Sequence, residues 1–222
     1  METTTHYGAT EHNQVRRLPE RGTLERAAVH AILDEGLFCH VGFATERGPV
    51  VIPTLYARDG ERLYLHGSPA SRMLRALSRG VPLCITVTLV DGLVLARSAF
   101  HHSMNYRSAV LFGRARDVDD LEEKRRALRL LVEHVVPGRT PDTRAPNDFE
   151  ERFTRVLAFE IEEASAKVRS GGPKDDEADL ALSHWAGEIP LRLVPGEPVP
   201  DPGLAAGVAP PPYALRYRRP RA

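Results

Sequence analysis

The residues of this 222-residue chain best suited to chemistry fall in two short segments. The first, His66-Gly67-Ser68-Pro69-Ala70-Ser71-Arg72, closes an apolar run and opens a helical one. Free N–H groups at a helix start, the hydroxyls of Ser68 and Ser71 and the guanidinium of Arg72 are donors that can converge on a phosphate dianion. The same residues also compose an ordinary Ser-Pro helix cap with a solvated arginine, and capping accounts for all of them except Arg72. His66 ends the strand just before this turn, so a ligand gripped by the turn would lie beside its imidazole. A titration point near 6.5 suits that ring to moving a proton around neutrality.

The second segment, residues 97–116 (RSAFHHSMNYRSAVLFGRAR), gathers two histidines, an asparagine, a tyrosine and several arginines at strand boundaries. Asn105 and Arg107 can hydrogen-bond a heteroaromatic carbonyl or ring nitrogen, and Tyr106 can cover a flat ring. A polar hairpin loop with solvated arginines is the other reading. His101 and His102 are candidates for metal or haem, but adjacent strand residues point to opposite faces, so the pair does not hold one metal and no metal site is expected. His40 fits a barrel residue. Trp185, the single tryptophan, is either an anchor for its irregular segment or a lid over a flat ligand. Phosphate-loop, dinucleotide-fingerprint, HExxH and CxxC signatures are absent.

The elements that must carry these residues follow from hydrophobic period and turn chemistry. Leu24, Ala27, Ala28, Ala31 and Ile32 have helical spacing, with Thr23 placed as N-cap and Gly36 as a left-handed C-terminal glycine. Runs at 37–45, 49–57, 62–67, 81–90, 93–99, 106–118 and 153–163 are rich in β-branched and aromatic residues. Asp59-Gly60 and Asp91-Gly92 each separate two runs and predict tight hairpins. A short helix is expected over 68–80 with Met73, Leu74 and Leu77 inward. A longer one is expected over 119–136 with Leu121, Leu128, Leu131 and Val132 inward.

These elements predict a mainly β fold with inserted helices, an antiparallel barrel over residues 21–163. Residues 1–20 read as an N-terminal arm. From 164 to 222 the periodicity fades, and nine of 18 prolines lie between Pro190 and Pro220, which predicts an extension wrapping the barrel or a partner. Thirty basic and thirty acidic side chains cancel, so no overall field recruits nucleic acid or anionic membrane. The absence of an apolar leader or span, with Cys39 and Cys84 set in apolar runs, predicts a reducing, cytoplasmic setting.

The segments CHVGF (39–43), PVVIPTLYARDGERLYLHGSPASRML (49–74), ARSAFHHSMNYRSAVLFGRAR (96–116) and SAKVRSGGPKDDE through HWAGEIPL (165–191) together resemble the flavin-nucleotide-binding branch of the pyridoxamine 5′-phosphate oxidase-like split-barrel family. That branch includes nitroimidazole reductases, and the likeness runs over about residues 12–195. The resemblance implies a six-stranded split barrel that forms a homodimer, with FMN in clefts between subunits. It assigns the phosphate to Gly67, Ser68, Ser71 and Arg72, and the ring to Val51, Ile52, Pro53 and Thr54. Asn105, Tyr106, Arg107 and Ser108 become cofactor or interface residues, Trp185 a cover, and His66 a neighbour of flavin and substrate. The vitamin-making oxidases' substrate motif is missing. The function implied is an FMN-dependent oxidoreductase passing electrons from NADH or NADPH to a small flat acceptor, nitroaromatic or quinone-like. Arg107 would steady the reduced ring and His66 would supply a proton. A binding-only flavin or haem protein is the alternative, and a deazaflavin is an alternative cofactor.

Overall fold

Asp59 and Gly60 turn the chain as their types require: Gly60 has φ +60° and joins β4 (Ala57–Asp59) to β5 (Arg62–Gly67). The computed structural model describes residues 4–219. Its sheet runs β3 (Gly48–Leu55), β2 (Phe38–Thr45), β6 (Leu83–Leu95), β7 (Ser103–Asp117), β8 (Arg155–Arg169), β5, β4, every pairing antiparallel. β1 (Gly22–Thr23) adds to β8 and β9 (Gly187–Pro190) to β6. β2, β3, β5, β6, β7 and β8 are the long strands of a split barrel, which wraps a core of Leu63, Leu65, Ile85, Leu111, Leu157 and Phe159. α1 (Arg26–Glu35) adds Val29, Ile32 and Leu33 to that core.

Several elements differ from the sequence expectation for identifiable reasons. Asp91-Gly92 makes a bulge in the continuous strand β6, not a hairpin, and the reversal falls at the 3₁₀ turn Ala99–His101. Glycine is required there by crowding: a Cβ on Gly92 would stand 3.1 Å from the carbonyl oxygen of Ile189 in β9. Gly36 has φ −63°, so its role is also spatial; a Cβ would lie 2.5 Å from Val87 Cγ1 and 2.8 Å from Tyr56 Oη. Thr23 belongs to β1, and Glu25 takes the N-cap position of α1.

β8 continues to Arg169, beyond the limit at 163, because the small residues Ala164, Ser165 and Ala166 are all buried and carry no visible alternation. α2 (Arg72–Leu77) buries Met73, Leu74 and Leu77 as expected. α3 (Leu121–Val135) buries Ala127 and Leu131 but leaves Leu121 and Val132 exposed, because it covers the outer side of β5 around Tyr64, Val118 and Val156. α4 (Asp148–Arg152) begins with a capping box between Asn147 and Glu150. The expected arm is tied down: Tyr7, 3% exposed, donates from Oη to Glu61 at 2.7 Å. After α5 (Pro212–Leu215) the tail returns to the helices, where Tyr217 Oη donates to the Val135 carbonyl and Arg219 to those of Asp34, Glu35 and Gly36. None of the described helices is long and apolar enough to cross a membrane.

Candidate functional site

The turn after β5 makes the helix cap its sequence allows. Ser71 caps α2, its Oγ accepting from Leu74 N at 3.4 Å, and Ser68 Oγ accepts from Ala70 N at 3.2 Å. Each hydroxyl keeps its own proton for a further acceptor. Gly67 is pressed close to α2, since a Cβ there would meet Leu74 Cδ1 at 3.2 Å. Arg72, Arg75 one turn on in α2, and Arg79 just past its end are exposed and make no ion pair among the described residues. Arg62, Arg107, Arg116, Arg125 and Arg155, in contrast, are all paired with carboxylates.

His66 lies on β5 beside the turn, opposite Val156 of β8. Its Nδ1 is buried without a hydrogen-bond partner, and burial lowers its pKa, which keeps the imidazole neutral. On β3, Val51 and Pro53 face outward, Val51 with 65% of its surface exposed. Ile52 packs toward the core and Thr54 is half-buried, so only alternate members of the expected ring-contacting run share the open face.

The Asn105–Ser108 segment departs most from expectation. Arg107 Nε and Nη2 donate to Asp91 at 2.9 and 2.7 Å, while Nη1 and Nη2 donate to Glu35 at 2.5 and 2.9 Å. Hydrogen bonds to Asp91 and then Glu35 raise its pKa and fix its charge. This guanidinium braces α1 against the β6 bulge, with four of its five N–H donors engaged by the two carboxylates. Asn105 is buried, donating from Nδ2 to Glu188 at 2.5 Å and accepting from Arg169 Nη1. Arg169 also donates to the carbonyls of Gly171 and Gly172. Ser108 Oγ donates to the Lys167 carbonyl, and Tyr106 remains half-buried on the outer face. Trp185 neither enters the core nor lies free: it is exposed with its ring against Gly187, where a Cβ would come within 3.0 Å of two ring atoms.

Glu35, Asp91, Arg169 and Glu188 complete these contacts and carry no local sequence signal, since their partners lie 16 to 83 residues away. A cleft of about 650 Å³ between the arm and β8, lined by Asn13, Val15, Gly22 and Ser165, contains none of the expected site residues. Val51 and Pro53 lie instead on an open sheet face with Phe38 and Leu55, and the other expected residues are not gathered on it.

The strand order and its antiparallel pairings are those of a split barrel. The chain belongs to the pyridoxamine 5′-phosphate oxidase family, which matches residues 25–168. It is similar to the flavocytochrome Anf3 of Azotobacter vinelandii, 39% identical over 96% of this chain and 99% of that one, with TM-score 0.89. It is also similar to an FAD- and haem-binding protein of Mycobacterium smegmatis, 37% identical over 87% and 95%, TM-score 0.83. A putative 5-nitroimidazole antibiotic resistance protein of Bacteroides thetaiotaomicron is 28% identical over 66% and 86%, TM-score 0.56. No curated protein matches the chain.

Proposed function

We propose that this protein is a flavin- and haem-binding redox protein of flavocytochrome type. The observation that carries this reading is the likeness, along nearly the whole chain, to the Azotobacter flavocytochrome. A second relative, a protein that binds FAD and haem, supports it and favours FAD over FMN or a deazaflavin. The residues present fit a phosphorylated flavin: an uncompensated Arg72, two serine hydroxyls with protons to give, and a neutral His66 with an orphaned nitrogen.

Bound flavin supplies two-electron redox chemistry and haem one-electron chemistry, with NADH or NADPH as donor. Ser68, Ser71 and Arg72 bind the phosphate. Val51 and Pro53 line the ring. His66, neutral and half-buried, holds a proton for exchange beside the ligand or accepts one from it. A second copy covering the face of Phe38, Val51 and Leu55 excludes water from the site, which makes the homodimer the working unit.

The test is the absorption spectrum of the purified protein, with mass spectrometry of released cofactors. Flavin bands together with a Soret band are expected, and anaerobic NADH or NADPH should reduce both groups. Flavin without haem, with turnover of a nitroaromatic acceptor, would replace this reading by a reductase like the nitroimidazole relative, for which the match over 66% of the chain speaks.

A further inference from the structure

We infer that His102, at the tip of the β6–β7 hairpin, is an axial ligand to haem iron, with the macrocycle seated on an apolar platform formed by β9, β6 and β7. This rests on the flavocytochrome reading and adds the site and its ligand.

Antiparallel register puts Ile189 of β9, Leu93 of β6 and Met104 of β7 in one row across the sheet, and all three side chains are exposed. In the next row Gly187 pairs with Leu95, and continuing the β6–β7 register by one step brings His102 to the level of Leu95. Trp185 lays its ring over Gly187, so this row runs from indole through leucine to imidazole. Partners in a ladder share a face, and residues two apart along each strand share it too. The two rows therefore form one apolar surface ending at a histidine, which fits one flank of a planar macrocycle whose metal would lie at His102.

Tautomer selects His102 over its neighbours. Its Nδ1 lies 3.0 Å from the backbone carbonyl oxygen of Ser98, which can only accept, so Nδ1 carries the proton and Nε2 offers its lone pair outward. A histidine that ligates through one nitrogen and donates the other N–H to a backbone carbonyl is held in register for a metal. His101 instead sets Nε2 3.2 Å from Asp176, and its own ring meets Phe100 edge-on. His40 lies on the outer face beside Phe38 and makes no hydrogen bond among the described residues, so nothing fixes its tautomer.

Stripped of haem and titrated with hemin, full-length protein is compared with His102→Gly and His101→Ala by Soret absorbance, with flavin content and melting temperature recorded for each. His102→Gly is expected to bind hemin at least about 10- to 100-fold more weakly, the range that loss of ligand positioning costs a metal site, while keeping flavin and fold. Added imidazole should restore its low-spin spectrum, and His101→Ala should behave as wild type. Unchanged affinity and spectrum in His102→Gly would overturn the assignment while leaving the flavocytochrome reading intact. A wild-type protein that holds flavin but takes up no hemin would overturn both.

Discussion

Arg107 and Glu35 meet in a two-pronged ion pair, at 2.5 and 2.9 Å, joining the last residue of α1 to the middle of β7. The same guanidinium grips Asp91 at the bulge, so one side chain fixes the distance between a helix end and an irregular point of the sheet. Replacing it with methionine keeps the stem and removes four hydrogen bonds to charged carboxylates. Arg107→Met should cost about 1.5–3 kcal/mol, the worth of a hydrogen bond to a charged group. Denaturant unfolding measures this. A variant of undiminished stability that loses flavin would return Arg107 to the role of a ring contact.

Arg72 has no carboxylate partner among the described residues, and the proposed function gives it the flavin phosphate. Arg72→Ala should lower flavin affinity roughly ten- to a hundredfold, because a charge-assisted contact is worth about 1.5–3 kcal/mol. Quenching of flavin fluorescence on titration of the apoprotein gives the constants. Equal affinity for both forms would remove Arg72 from the phosphate site.

Burial lowers the pKa of His66, and lowers those of His30 and His134 as well. An unfolded chain therefore binds more protons than the folded one once pH drops below the ordinary histidine value of about 6.5. Stability from these rings is complete above that value and is lost as pH falls through it toward their depressed folded values. Melting temperature should decline between about pH 6.5 and 5, where carboxylates are still mostly ionised. His66→Gln should make the slope shallower, whereas an identical slope would assign the effect to other groups.

Phe38, 53% exposed, and Val51 stand on strands β2 and β3 with no covering element. If a second copy covers them, Phe38→Asp should convert a dimer into a monomer in sedimentation equilibrium and lower flavin retention with it. Retention of the dimer by Phe38→Asp would move the interface elsewhere.

How much of this was legible in the sequence depended on residue size and on distance along the chain. The strand ending near His66 and the inward set Met73, Leu74 and Leu77 are readable because each is a local pattern in large residues, whereas the helix expected from Ser68 starts only after Ser71 caps it. The end of β8 was hidden because Ala164, Ser165 and Ala166 are too small for burial to alter the hydrophobic period. Asp91-Gly92 misled because one dipeptide suits both a tight turn and a bulge, and β9, arriving from residue 187, decides between them. The polar segment around Asn105 was recognisable as unusual. Its partners were not, since Glu188 is 83 residues from Asn105 and Glu35 is 72 from Arg107.

The return of the tail bears on the order of assembly. Arg219 reaches the open carbonyls that finish α1 and also that of His134 near the end of α3, a residue synthesised 85 positions earlier. On the ribosome those helix ends must stay hydrated while the barrel closes, and this corner is sealed only once Arg219 has emerged.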